Sequence, residues 1–489
     1  MKKKIAIICS RQMTRHADHH LANLLKCKNN YYLISVISNI SSANMNFYYE
    51  KYSKYFDEIY QEPDENVSVE KNIKEKLLIK KIKAFEMLYG MSINNIFFTH
   101  RIIGGGFFAS GGINHPRNSL RENNNHINIL KIALDQLLFW EHLLKKSQVN
   151  IALNLPNHAH YLAKKLNIKS ERLQTARFGN TQFWSSDNHI QPDNLKKNFD
   201  MIKKTKKVNI DFPYDTYLTY KKKYIKHSSF LSTLYMSILS LLKNVRGRLK
   251  GYKKSKNIFI LDNFLSFWKK RKAFKENLKL SNITSEQTKG LKYIYFPLVA
   301  EPEIALHGIA QDFFFQLSAL NLLARDLPSD FKIVVKEHLL AIGRRPKDFY
   351  RQISAHKNVI FANPLDNGIT YIKNSRAVAI ITGTAGWEAS VMGIPVITFT
   401  QNNAFNFLEH VFYVNKPNSL NKIISDIINI KLPNRNFNRA GSRLYQAYFK
   451  SSFDLGSIKQ FFDWKSFDEK SALSYAKLLY RELSKKVNL

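Results

Sequence analysis

Only two cysteines, Cys9 and Cys27, occur in 489 residues. They offer no disulfide framework, and neither has a Cys or His at metal-ligand spacing, so a reducing cytosol is the expected home. Also missing is any uncharged apolar run of about 18 residues, so no segment reads as a membrane span. The N-terminal MKKKIAIICS is too short in its apolar part for a signal-peptide core and soon meets Arg11 and Arg15. It reads as a first β-strand. Acid is scarce: 38 Asp+Glu stand against 75 Lys+Arg, a formal charge of +37. Such a field attracts anions, whether nucleic acid, anionic lipid or phosphorylated substrate. No zinc-ligand set, aromatic RNA-binding motif or basic heptad array is present, so no nucleic-acid partner is expected. There is no Asp-X-Asp pair to hold a divalent ion between diphosphate oxygens.

What is present argues for a folded protein of two or three domains: 44% hydrophobic and 13% aromatic residues in a long chain. Residues 1–215 read as a first α/β domain, with strand-like runs at Ile5–Cys9, Tyr32–Ser38, Asn95–Thr99 and Asn150–Leu153 and a helical pattern over Ile127–Leu144. Its glycine-rich loop, Gly104 to Gly112, is either a lid or a tight loop. Residues 216–285 form a basic linker without acid from Thr216 to Leu261. Inside it, apolar positions 230, 231, 234, 235, 238, 241 and 242 fall at helical spacing between two lysine and arginine clusters. That is the pattern of an interfacial membrane helix, or of an interdomain helix with solvated flanks.

Residues 286–432 alternate strand and helix regularly. Strands are expected at Tyr293–Leu298, Lys332–Lys336, Val359–Ala362, Val378–Thr382 and Pro395–Thr400, which means a parallel, doubly wound sheet. Residues 433–489 are helical. The most informative stretch is Ala377–Thr400, AVAIITGTAGWEASVMGIPVITFT: strand, small-residue turn, short helix, strand. In open α/β sheets the turn after such a strand faces the ligand crevice. Gly383, Ala385 and Gly386 allow close backbone approach, Thr382 and Thr384 bring hydroxyls, and the following helix brings free N–H groups and a positive dipole end. This suits a phosphate. Upstream, Lys336, Glu337 and His338 end another buried strand and belong on the same rim.

These residues carry a resemblance. Lys336-Glu337-His338, Gly343-Arg344, Thr382 through Ala389 and Gly393-Ile394-Pro395-Val396 resemble the bacterial capsule polysaccharide biosynthesis proteins, a family that includes β-Kdo transferases using a CMP-sugar. Tyr295-Phe296-Pro297-Leu298 with Glu301-Pro302-Glu303 matches further upstream, while Leu339 stands where the family usually has proline. The resemblance is specific over about Tyr293 to Thr400. It implies a GT-B-like glycosyltransferase: two Rossmann-type doubly wound domains facing a central cleft, with a terminal helix packing back on the first. It further implies a metal-independent, inverting transfer without cofactor, from a nucleotide sugar (a CMP-sugar favoured) to a lipid-linked or oligosaccharide acceptor. The donor would meet His338, Lys336 and the Thr382–Gly386 turn, with Glu388 holding a sugar hydroxyl or capping its own helix.

Deprotonation of the acceptor needs a base. Asp18, within Arg15-His16-Ala17-Asp18-His19-His20, is one candidate, although these residues equally make a helix N-terminal turn. Glu303, with Glu301, is the other. His115, His158 and His160 are weaker. Arg344 and Arg345 are either phosphate clamps or exposed residues at a helix start. The site of action is expected to be the inner face of the cytoplasmic membrane, where anionic lipid would meet the basic linker. Two rival functions share this sequence pattern: a CDP-polyol phosphotransferase of teichoic-acid type, and a non-catalytic scaffold for polysaccharide export.

Overall fold

The computed structural model describes residues 4–10, 15–37, 51–63, 74–98, 126–146, 149–176, 178–189, 191–203, 218, 221–222, 225, 228–249, 260–299, 309–313, 315–343, 345, 348–458 and 468–488. In the first lobe, β1 (Lys4–Ser10) leads into α1 (Asp18–Asn29), β2 (Tyr31–Ile37) and β3 (Glu58–Gln61). Helices α2 (Glu75–Tyr89), α3 (Ile93–Phe98) and α4 (His126–Lys146) precede β4 (Ile151–Leu153). Then come α5 (Asn157–Lys165), β5 (Lys169–Thr175), β6 (Thr181–Ser185) and α6 (Leu195–Met201). A helical pair, α7 (Phe230–Leu249) and α8 (Ile260–Leu280), follows.

The second lobe starts with β7 (Tyr293–Pro297), α9 (Gln316–Asp326), β8 (Lys332–Lys336), α10 (Phe349–Ser354), β9 (Val359–Phe361) and α11 (Gly368–Asn374). It continues through β10 (Ala377–Ile380), α12 (Thr384–Val391), β11 (Val396–Thr398), β12 (Val411–Tyr413) and α13 (Leu420–Asn429). The chain ends with α14 (Arg435–Lys450), the short β13 (Phe453–Asp454) and α15 (Glu469–Val487).

The first sheet has the order β13-β6-β5-β4-β1-β2-β3 and the second β12-β11-β10-β7-β8-β9. Leaving out β13, each is the doubly wound order of a dinucleotide-type fold, with its switch point between the first and fourth strands. The second sheet is parallel throughout. In the first, β6 alone runs against the other strands, pairing antiparallel with both β5 and β13 at one edge. Both faces of the second sheet are covered. Val378 and Ile380 of β10 face one apolar cluster, Ala377 and Ala379 the other. Burial on both faces is why these strands are continuous apolar runs in sequence.

The expected strand at Asn95–Thr99 is instead α3, because Ile93, Ile96 and Phe97 share one buried helical face. Strands β3, β5, β6 and β12 were not expected. β5, KSERLQT, has no apolar signature because its buried polar residues are partnered from elsewhere. Arg172 donates to Asn157 Oδ1 at 2.6 Å and Glu171 pairs with Lys486 of α15 at 2.7 Å. The loop Gly104 to Gly112 and His115 lie outside the described residues.

The C-terminal chain ties the lobes together, as the resemblance implies. α14 packs against both α6 and α12. Arg443 donates to the Phe199 carbonyl and stacks on its ring at 4.1 Å, and Phe178 stacks on Trp387. α15 then returns to lie on α1, and β13 pairs with β6.

In the basic segment, α7 and α8 form an antiparallel-type hairpin with an inverted face. The side of α7 toward α8 carries Thr233 and Ser237, both buried; Ser237 Oγ donates to the Thr233 carbonyl. Leu231, Tyr235, Ile238, Leu242, Val245 and Leu249 are 40–84% exposed and recur at alternating spacings of four and three. Among the described residues no helix is long and apolar enough to cross a membrane.

Candidate functional site

The site is built at the C-terminal rim of the second sheet. β10 ends at Ile380, and the chain turns through Thr382 and Gly383 into α12. Gly383 has φ +121°, a left-handed conformation that a side chain would strain, and a β-carbon there would meet open space. Gly386 serves a different purpose. A β-carbon on it would lie 2.1 Å from Ile380 Cδ1 and 3.2 Å from Phe405 Cζ, so the glycine lets the first turn of α12 rest on the strand it follows without displacing those side chains.

No side chain caps the N-terminus of α12. Its first-turn N–H groups therefore keep their donor capacity and the positive end of the helix dipole. Thr382 is 2% exposed, and its Oγ1 has no hydrogen-bond partner within the protein. A buried hydroxyl without a partner is costly in a folded protein and is normally satisfied by something. Thr384 is exposed and Glu388 half-buried on the same helix.

β8 is not adjacent to β10; β7 runs between them. The two turns still leave the same rim, two strand spacings or roughly 10 Å apart. His338 is exposed there, while Glu337 and Arg345 are buried beneath it. Glu337 accepts from Arg345 Nε at 2.8 Å and Nη2 at 2.7 Å, from Tyr350 Oη at 2.7 Å, and from the His338 backbone N–H at 2.6 Å. Arg345 Nη2 also donates to the Val299 carbonyl at 2.9 Å, and Gln316 holds Val299 by both backbone groups. One buried ion pair thus pins the exits of β7 and β8 together. Arg345 is accordingly neither a phosphate clamp nor an exposed residue. Arg344 lies outside the described residues.

Lys336 is buried and donates to the Pro364 carbonyl at 3.1 Å. Burial lowers its pKa to about 8, with Asp366 and Glu337 partly opposing the shift. The loop after His338 is also clamped from outside. Gly343, at φ +83°, lies so close to α8 that a β-carbon would approach the Lys270 backbone to 2.7 Å, and Phe274 packs on Leu339 and Ile342.

Across the molecule, Asp18 opens α1 and has no exposed surface. His16 is buried and stacks on Tyr475; desolvation lowers its pKa to about 4. His19 and His20 meet Glu469 of α15, a partner that only the fold brings near, since it lies 450 residues beyond His19 in sequence. Glu301 and Glu303 lie outside the described residues. His158 pairs with Glu62 and His160 with Ser170 inside the first lobe, both buried. Glu337, Arg345 and Tyr350 acquire their joint role only in the fold, although Glu337 was in view beside His338.

Residues 223–406 match the family model described as capsule polysaccharide biosynthesis protein, a span that holds α7, α8, the Glu337 network and the Thr382 turn. No curated protein matches the sequence. Among solved structures, the chain is similar to the UDP-GlcNAc 2-epimerase of Methanocaldococcus jannaschii at 12% identity, covering 91% of this chain and 99% of that one, with a TM-score of 0.27. It is similar to the β-Kdo 2,7 transferase of Thermosulfurimonas dismutans KpsC at 12% identity, 72% and 96% coverage, TM-score 0.33. A glycosyltransferase from Rickettsia africae gives 14% identity, 99% and 100% coverage, TM-score 0.29. The architecture itself is given by the two strand orders. The match over residues 223–406, and the motifs within it, make this part of the chain similar to the capsule polysaccharide biosynthesis proteins.

Proposed function

We propose that this chain is a glycosyltransferase of capsule polysaccharide assembly, passing a sugar from a nucleotide sugar to a lipid-linked or growing glycan acceptor. The observation that carries this reading is the buried Thr382 hydroxyl without a partner, set beside the open Gly383 and the uncapped start of α12. A donor phosphate placed there accepts from Thr382 Oγ1 and from the first N–H groups of α12. His338, on the exit of β8, reaches the same ligand from the other side of β7. In the transfer, an acceptor oxygen bonds to the anomeric carbon as the bond from that carbon to the phosphate oxygen breaks. Negative charge grows on the departing phosphate, where the helix end and the hydroxyl are already oriented. The acceptor's proton passes to a carboxylate; Glu303, six residues beyond β7, is favoured over Asp18 because Asp18 has no exposed surface. The donor is proposed to be a CMP-sugar, with inversion at the anomeric carbon.

Thr382→Val tests the cradle, because the sign of its effect differs between structure and function. Removing a buried hydroxyl that has no protein partner leaves stability unchanged or slightly raised. Loss of a hydrogen bond to a phosphate weakens nucleotide binding roughly 10- to 100-fold. Thermal stabilisation by CMP, CDP, UDP and GDP reads both. A wild-type shift with CMP, reduced in Thr382→Val and in His338→Ala, is the expected result. A shift with CDP alone favours the polyol-phosphate chemistry, and one with UDP or GDP replaces the donor. No shift with any nucleotide overturns the reading.

The place of action is proposed to be an anionic membrane surface on the cytoplasmic side, through α7. Support comes from the exposed Leu231-to-Leu249 stripe together with exposed Lys243 and Arg246 and the absence of acid from Thr216 to Leu261. Two copies meeting through this stripe would face positive charge with positive charge; anionic headgroups supply the opposite sign at about 1 kcal/mol per basic residue. Co-sedimentation with phosphatidylglycerol-containing vesicles is expected, with little binding to phosphatidylcholine alone. A chain carrying Ile238→Glu and Leu242→Glu should stay in the supernatant. Equal binding of wild type and variant would remove α7 from this role.

A further inference from the structure

His19, His20 and Glu469 do not belong to the donor rim, yet they bring three ligand-type atoms to one point between α1 and α15. His19 Nε2 lies 3.1 Å and His20 Nε2 2.9 Å from the same carboxylate oxygen, Glu469 Oε1, and all three atoms are within 4.8 Å of one another. The His20 contact lacks hydrogen-bond alignment: its Nε2 is buried and has no hydrogen-bond partner in the protein. A single oxygen thus has two ring nitrogens crowded on it, of which only one is bonded to it.

We propose that these three residues bind a zinc-class divalent cation that clasps the C-terminal helix onto the first lobe. Two imidazole nitrogens and one carboxylate oxygen are a borderline donor set, suited to zinc rather than magnesium or calcium. Zinc with ligand bonds near 2.0–2.1 Å separates tetrahedral ligand atoms by about 3.4 Å, so these atoms need only small shifts to surround an ion. The His19 side chain is fully buried and its ring is stacked on Tyr52 at 4.0 Å, which holds one ligand rigidly. Glu469 is half exposed, which leaves room for water at the fourth position. The exposed Lys51 acts electrostatically on His19 and Glu469 and has solvent to move into when a cation arrives.

The clasp would join positions 450 residues apart. Its ligands come from both ends of the chain, so neither sequence segment alone shows a site. This inference does not depend on the donor reading.

The test strips the full chain with a chelator and titrates it with zinc alone, then with cobalt, whose visible spectrum reports coordination geometry. One equivalent should bind, raising the melting temperature by about 3 °C at 100-fold its Kd. Glu469→Gln keeps a neutral group of the same shape at an exposed position, and His20→Ala removes a ligand at the surface edge. Both variants should fold with unchanged metal-free melting temperatures and lose the bound equivalent and the cobalt spectrum. Failure of the wild type to bind one equivalent overturns the proposal. So does binding that survives in both variants, because other histidines would then be responsible.

Discussion

Glu337→Gln is expected to destabilise the second lobe by about 3–5 kcal/mol, the cost of leaving one member of a buried ion pair without its counter-charge. The Arg345 side chain is 2% and that of Glu337 0% exposed, so solvent cannot replace the lost carboxylate. The neutral amide also offers a weaker acceptor to Tyr350 Oη and to the His338 N–H. Those bonds shape the exit of β8, so the variant should lose nucleotide-induced stabilisation as well as intrinsic stability. Replacing both partners, as Glu337→Leu with Arg345→Leu, removes the stranded charge and should restore part of the melting temperature. Nucleotide binding should remain lost, because nothing then anchors the His338 turn. A Glu337→Gln chain that melts within a degree of wild type would show that the pair contributes neither stability nor shape.

Gly441→Ala should act on the proposed donor site from a position 55 residues beyond Gly386 in sequence. α14 crosses α12 so closely that a methyl group at 441 would lie 2.2 Å from the Val391 carbonyl oxygen and 2.7 Å from that of Ser390. Both obstacles are backbone, so no rotamer change relieves the clash and the helices must separate. Overpacking of this kind costs about 1–3 kcal/mol. α12 carries the proposed phosphate cradle at its other end, so its displacement should also weaken nucleotide binding, by roughly tenfold if about 1.4 kcal/mol of the interaction is lost. Urea unfolding and nucleotide-dependent melting of the same preparation measure the two effects. Unaltered binding in a destabilised variant would mean that α12 pivots about its N-terminus and leaves the cradle in place.

The parts of this protein that could be read directly are those whose burial is uniform. β7, β8, β10 and β11 are covered on both faces and so are apolar runs, and the Thr-Gly-Thr-Ala-Gly turn between β10 and α12 announces itself by composition. β5 escaped notice because Glu171 and Arg172 are buried by virtue of Lys486 and Asn157, partners on other elements. Around Asn95 the local sequence is ambiguous, because six residues rich in β-forming side chains suit a strand as well as one short helix face, and the fold selects the helix. Amphipathicity placed a helix at residues 230–242, but not the direction of its apolar side, which in the fold is turned away from α8.

By itself, then, the sequence determined two α/β lobes, a basic helical segment between them, and a phosphate-suited turn on the second. These follow from local period, composition and turn chemistry, which act over a few residues. Tertiary structure decided that β7 separates β8 from β10 and that Glu337 serves Arg345. It also decided that α15 returns to α1 and sets Glu469 against His19 and His20. The reason is physical. Strand order and the meeting of chain ends minimise the exposure of whole faces at once, and a preference summed over the entire core leaves no mark at any single position.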